Sequence, residues 1–139
     1  KLVLNESQTK PSHQPTLNRK LTQEDVFRAR DAALNVYMAQ NIQEYIVQIV
    51  LATRNLGKYG ADIADWIQFG ASPRAGISLA RCAKALAFLQ GMDFVGPEQV
   101  QSLAHDVLRH RIILSNRAEA EGVSPDLCID ELIARVPVP

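Results

Sequence analysis

Apolar residues recur at helical spacing along most of this chain, and proline and glycine punctuate the recurrences. The clearest stripe is Ile42, Tyr45, Ile46, Ile49, Val50 and Thr53. It predicts an amphipathic helix opened by an Asn41/Glu44 capping box. A weaker stripe, Val26, Ala29, Ala33 and Leu34, follows a Thr22/Asp25 box. Between them Asn35-Val36-Tyr37-Met38-Ala39 breaks the period and reads as extended. The most apolar stretch runs from residue 73 to about 90, with Gly91 placed to end it. Ile77, Leu79, Cys82, Ala83, Leu86, Ala87 and Phe88 cover nearly all of its sides, which predicts a central helix approached closely by its neighbours. Pro97 opens a helix to about residue 104, with Val100, Leu103 and Ala104 inward. Pro125 opens the last, whose inner face is Cys128, Ile129, Leu132, Ile133 and Val136. Residues 61–69 read as a short helix or turn packed by Trp66, and residues 116–122 as a polar connection. Ile112-Ile113-Leu114 reads as a short strand whose partner would be Val36-Tyr37.

Short connections between such segments predict an all-α fold, a small helical bundle with at most one two-stranded β pairing. Residues 21–139 would form the domain. Residues 1–20 are polar, carry two prolines and show no period, so they read as a linker or expression remnant. The first residue is lysine rather than methionine, which suggests a fragment.

Composition narrows the function. Lys+Arg and Asp+Glu both number 15, which argues against a general nucleic-acid coat. No apolar run reaches membrane length and no signal peptide opens the sequence, so a cytoplasmic location is expected. Cys82 and Cys128 lie inside apolar helical patterns and read as buried free thiols. No metal site is expected, because His105 and His110 are five apart and no ligand set surrounds them. P-loop, GxSxG and GxGxxG motifs are all absent from these residues.

The candidate chemistry sits in Gly70-Ala71-Ser72-Pro73-Arg74-Ala75. Ser72 is a good N-cap, and Pro73 suits the first helical position. Arg74 is a cation at the positive end of the helix dipole, unfavourable by roughly 0.3–1 kcal/mol. Free amides beside an arginine make an anion site, and phosphate is the usual anion. The plainer reading is a packed stem with a solvated head. Arg74, Ser78 and Arg81, with Lys84 beside them, form one polar stripe on an otherwise apolar helix, or simply its solvated edge.

Several blocks in order resemble the C-terminal lid of the MoxR family of AAA+ ATPases. They are the 70–75 stretch with its alanine-rich helix, Asp93-Phe94-Val95-Gly96-Pro97-Glu98-Gln99-Val100, and Val107-Leu108-Arg109-His110-Arg111-Ile112. Tyr45-Ile46-Val47, Ala52-Thr53-Arg54 and the tail from Glu119 fit the same pattern, so the resemblance covers about residues 21 to 139. It implies a piece of a larger ATPase whose core carries Walker A, Walker B, sensor 1 and the arginine finger. Arg74 would be the catalytic sensor 2 residue, with Ser72 and Arg81 as further nucleotide-binding candidates. Arg109, His110 and Arg111 match a family block with no catalytic role implied, and read as structural anchors. The full-length protein would use ATP and Mg²⁺, form a homo-oligomeric ring, a hexamer, and serve chaperone-like maturation with von Willebrand factor A-domain partners. The sequence departs from the pattern before residue 21 and at Met92, where the family often has arginine. Two rival readings are a stand-alone helical interaction module and the lid of a related magnesium chelatase-like ATPase.

Overall fold

A computed structural model describes residues 20–139, so the linker reading of 1–20 falls, Lys20 aside, outside the described residues. Six helices carry the fold: α1 (Gln23–Asn35), α2 (Gln40–Ala52), α3 (Pro73–Leu89), α4 (Pro97–Leu108), α5 (Asn116–Ala120) and α6 (Pro125–Arg135). A 3₁₀ turn, Leu56–Lys58, and one antiparallel pair, β1 (Ile67–Phe69) with β2 (Ile113–Leu114), complete it. This is the small helical bundle with one short β pairing that the pattern predicts.

The alanine-rich segment is the centre, because α3 packs against α1, α2 and α4. It does so along a narrow line: Ala75, Leu79, Ala83 and Ala87, all fully buried and four residues apart. Small side chains on that line let the neighbouring backbones come close. The rest of the helix is not enclosed, contrary to its composition: Ile77 is 57% exposed and Leu89 80%. Gly91, at φ 71, ends the helix as expected.

The α2 stripe is buried at every predicted position. Its start differs, however. The helix opens at Gln40 behind Ala39, with no side-chain cap. Asn41 already lies inside the first turn, where its Oδ1 accepts only from the Ile42 amide at 3.0 Å, and Glu44 instead accepts from Gln40 at 2.9 Å. The Thr22/Asp25 box is fully formed at α1, yet that helix buries none of its residues. It is tied down at its end, where the Lys84 ammonium donates to the Leu34 carbonyl at 2.9 Å. A cation on the last carbonyls of a helix is favourably placed, and this contact takes Lys84 off the Arg74–Arg81 stripe.

The β pairing is formed by other partners than expected. Val36-Tyr37 does not meet residues 112–114. Instead Tyr37 bridges Phe94 in parallel fashion, with its amide donating to Asp93 and its carbonyl accepting from Val95. The strand at Ile113–Leu114 pairs with Ile67–Phe69, so residues 61–69 form the expected turn at 61–65 but end as a strand. The Ser115 amide extends this ladder by donating to the Trp66 carbonyl at 2.9 Å. Ser115 also caps α5, accepting from the Ala118 amide, so residues 116–122 hold a one-turn helix where a plain connection was expected. Its single buried residue, Ala118, gave no period to read. The α4 helix runs one turn past the expected end because Val107 and Leu108 are buried. In α6, Ser124 caps the Leu127 amide, and Cys128, Ile129 and Leu132 face the core.

The two thiols separate. Cys128 is buried, and burial pushes its pKa up to about 11; Cys82, expected inside, is exposed because it lies off the α3 contact line. Only a thiolate reacts readily, and at pH 8 Cys128 is almost wholly protonated. A disulfide reagent should therefore modify one thiol quickly in the native chain and two in denaturant. The Cys82→Ser variant should lose the fast phase.

Candidate functional site

The turn that presents Arg74 is held by the end of α2. Thr53, which is buried, donates its hydroxyl to the Val50 carbonyl at 2.7 Å and accepts from the Ala71 amide at 2.9 Å. The next residue, Arg54, donates from Nε to the Ala71 carbonyl at 2.8 Å. Both backbone polar groups of the buried Ala71 are thus satisfied by two consecutive side chains. Gly70 permits this closeness. A Cβ there would lie 2.5 Å from the Thr53 carbonyl oxygen and 2.7 Å from the Thr53 carbonyl carbon and Arg54 Cγ.

From Ala71 the chain enters α3. Ser72 takes the extended N-cap conformation, and its carbonyl accepts from the Ala75 amide at 2.8 Å. Its hydroxyl, expected to cap the helix, makes no such bond. Pro73 occupies the first helical position and Arg74 the next. No acid stands in this first turn, whereas the other two proline-started helices carry Glu98 and Asp126 there. Arg74 is exposed, and among the described residues it has no ion-pair or side-chain hydrogen-bond partner. Arg81 lies two turns on, also exposed and also without an ion-pair or side-chain hydrogen-bond partner among the described residues. The site therefore offers a guanidinium, free of any carboxylate, at a helix start whose approach is rigidly fixed. Such an arrangement can attract an anion.

An apolar groove runs beside it. About 210 Å³ of half-open space is lined by Val47, Val50, Leu51, Arg54, Pro73 and Gly76, and a further space of about 440 Å³ continues between α2 and α3 as far as Lys84. Val47, Leu51 and Ile77 are each more than half exposed along it. Contiguous apolar surface of this kind is typical of interaction sites.

The arginines read as anchors divide. Arg109 pairs with Asp126 across the α4–α6 contact, which raises its pKa. His105 likewise meets Asp130 at 2.9 Å. Arg111 does something sequence gave no sign of: it reaches α3, with Nη2 3.4 Å from the Ser78 hydroxyl, between Arg74 and Arg81. Only the crossing of the α4–β2 corner over α3 brings it there. Trp66 packs half-buried against the core, with its indole N–H unpartnered. No group of three or more His, Cys, Asp or Glu is arranged to hold a metal among the described residues.

Comparison with known proteins decides what kind of domain this is. Residues 61–132, about half of the chain, match the AAA lid domain family. The chain belongs to that family, as the C-terminal lid of a MoxR-type AAA+ ATPase. It is 35% identical over 126 residues to the chaperone MoxR1 of Mycobacterium tuberculosis, covering 90% of this chain and 33% of that protein. It is 38% identical over 105 residues to the protein MoxR of Paracoccus denitrificans, covering 70% of this chain and 31% of that one. The crystal structure of a protein provisionally described as an ATPase, from Cytophaga hutchinsonii, superposes with a TM-score of 0.79 at 40% identity. It covers 84% of this chain and 36% of its own. The lid thus spans about a third of the length of the relatives it matches.

The Ala71 clasp should be measurable as stability. Thr53→Val keeps the side-chain volume but strands the buried Ala71 amide, and should cost about 1–3 kcal/mol in urea unfolding. Gly70→Ala should destabilise the lid in the same assay, because the Thr53 backbone must move to admit a Cβ.

Proposed function

We propose that this lid is the sensor 2 element of its ATPase, and that Arg74 carries the role. The observation that supports this is the carboxylate-free Arg74 guanidinium in the first turn of α3, on a turn fixed by Thr53 and Arg54. In the full-length protein Arg74 would meet the γ-phosphate of ATP held, with Mg²⁺, by the core of its own or a neighbouring subunit. A guanidinium there stabilises the negative charge of the transferring phosphoryl group and senses whether that group is present. The position of α3, and with it the whole lid, would then follow the nucleotide state. The clasp at Ala71 converts that local contact into a rigid-body response, because the turn cannot move without α2.

Ser72 and Pro73 shape the turn, and Arg81 lies along the same face toward nucleotide or the subunit interface. The groove between α2 and α3 is the surface that the AAA+ core would cover. Ring assembly as a hexamer, chaperone-like maturation of client proteins, von Willebrand factor A-domain partners and a cytoplasmic location complete the reading. They rest on the kinship with MoxR proteins, one of which bears the name chaperone.

In the full-length enzyme, Arg74→Ala should leave ATP binding largely intact and lower kcat by about 10²-fold or more. Unchanged turnover would remove Arg74 from the mechanism. The isolated 139 residues contain no Walker A lysine and should show no Mg²⁺-dependent phosphate release; turnover by the purified lid would overturn the division of labour.

A further inference from the structure

Four arginines of the described chain meet carboxylates: Arg28, Arg109, Arg117 and Arg135. Arg111, two residues from Arg109, meets none. Its Nε is sealed from solvent without a hydrogen-bond partner, and its Nη2 reaches only the Ser78 hydroxyl, at a long 3.4 Å. A guanidinium drawn partly out of water with no counter-charge is unfavourable. This one is moreover placed beside positive charge. Ser78 follows Arg74 by four residues and precedes Arg81 by three, so the three share one face of α3. The two arginines stand about 10 Å apart along the helix axis, and Arg111 arrives between them from the α4–β2 corner. Neither Arg74 nor Arg81 has an acidic partner among the described residues. Arg111 thus meets α3 on the face that also carries Arg74 and Arg81, in a chain whose formal charges cancel at 15 against 15.

We infer that Arg111 is a second phosphate-binding residue of the lid, steered by Ser78 to share with Arg74 the polyphosphate of the nucleotide on the core. This rests on the sensor 2 reading of Arg74 and adds a partner from a different element. A polyphosphate suits the cluster better than a single carboxylate, which one guanidinium fork already saturates; successive phosphates offer oxygens to several forks at once. With Nε sealed, the two Nη groups form the presented edge. Because Arg111 belongs to the α4–β2 corner and Arg74 to α3, an anion bridging them would also tie those two parts of the lid together.

The test is steady-state ATP hydrolysis by the full-length protein. Arg111→Ala should raise KM for ATP about ten-fold while kcat stays within about three-fold, and Arg111→Lys, which keeps the charge, should recover a substantial part of the loss. Ser78→Ala should raise KM by a smaller factor. Melting temperatures of the Lys and Ser78 variants should stay within a few degrees of the parent. An unchanged KM in Arg111→Ala overturns the assignment. So does an equal loss in the Ala and Lys variants accompanied by a matching fall in melting temperature, which would mark Arg111 as a packing residue. Arg74→Ala, measured alongside, separates the two readings. If it lowers kcat while Arg111→Ala leaves KM alone, only the Arg111 assignment fails. If neither variant changes turnover, the sensor 2 reading fails with it.

Discussion

The lid depends on what happens at Ala71. A buried peptide between two helices must satisfy its own polar groups, and here Thr53 and Arg54 satisfy both. Each side chain comes from the residues where α2 has just stopped, so the end of one helix dictates the beginning of another. Gly70 lets the backbones touch, and Pro73 fixes the first helical φ. After these constraints little freedom remains in the direction of α3. Its small-residue line then seats it against α1, α2 and α4.

A rigid start has a consequence for Arg74. A long flexible side chain loses entropy when it binds, and little can be done about its own rotamers. What the fold can do is remove the uncertainty in its backbone. The clasp does that without placing any carboxylate near the guanidinium, which leaves its charge available. The missing hydroxyl cap at Ser72 fits this picture: the helix start is secured from behind, through Ala71, and its solvent side stays open.

How much of this was legible in the sequence depended on whether the signal was local. Capping boxes, N1 prolines and the Gly91 terminator act within a few residues, and most were read correctly. The α2 stripe was equally plain, because six apolar positions leave no other period. The Asn41 box failed because Ala39 caps the helix two residues earlier, so the expected cap fell inside it. The β partners failed for a different reason. Two- and three-residue strands carry almost no periodic signal, and their pairing is settled by which segments the helices bring together. The exposed, acid-free position of Arg74 was legible through its odd place in a dipole. Arg111 was not, since Arg109-His110-Arg111 looks the same whether a given arginine faces an acid or α3.

That last distinction shows how the lid divides its charges. At the end of the chain Arg135 forks onto Asp62 at 2.7–2.8 Å and also holds Glu131, so its pKa is raised and that of Asp62 lowered. Arg117 does the same between Asp65 and Glu121. These pairs lie at the surface and each contributes little to stability. Their effect is to spend acids at the junctions of the 3₁₀ turn, α5 and α6. None of these pairs reaches α3, whose Arg74 and Arg81 have no acidic partner among the described residues. In a chain of zero formal charge, the geometry of the core, rather than any surplus of lysine or arginine, thus determines where the unpaired arginines lie.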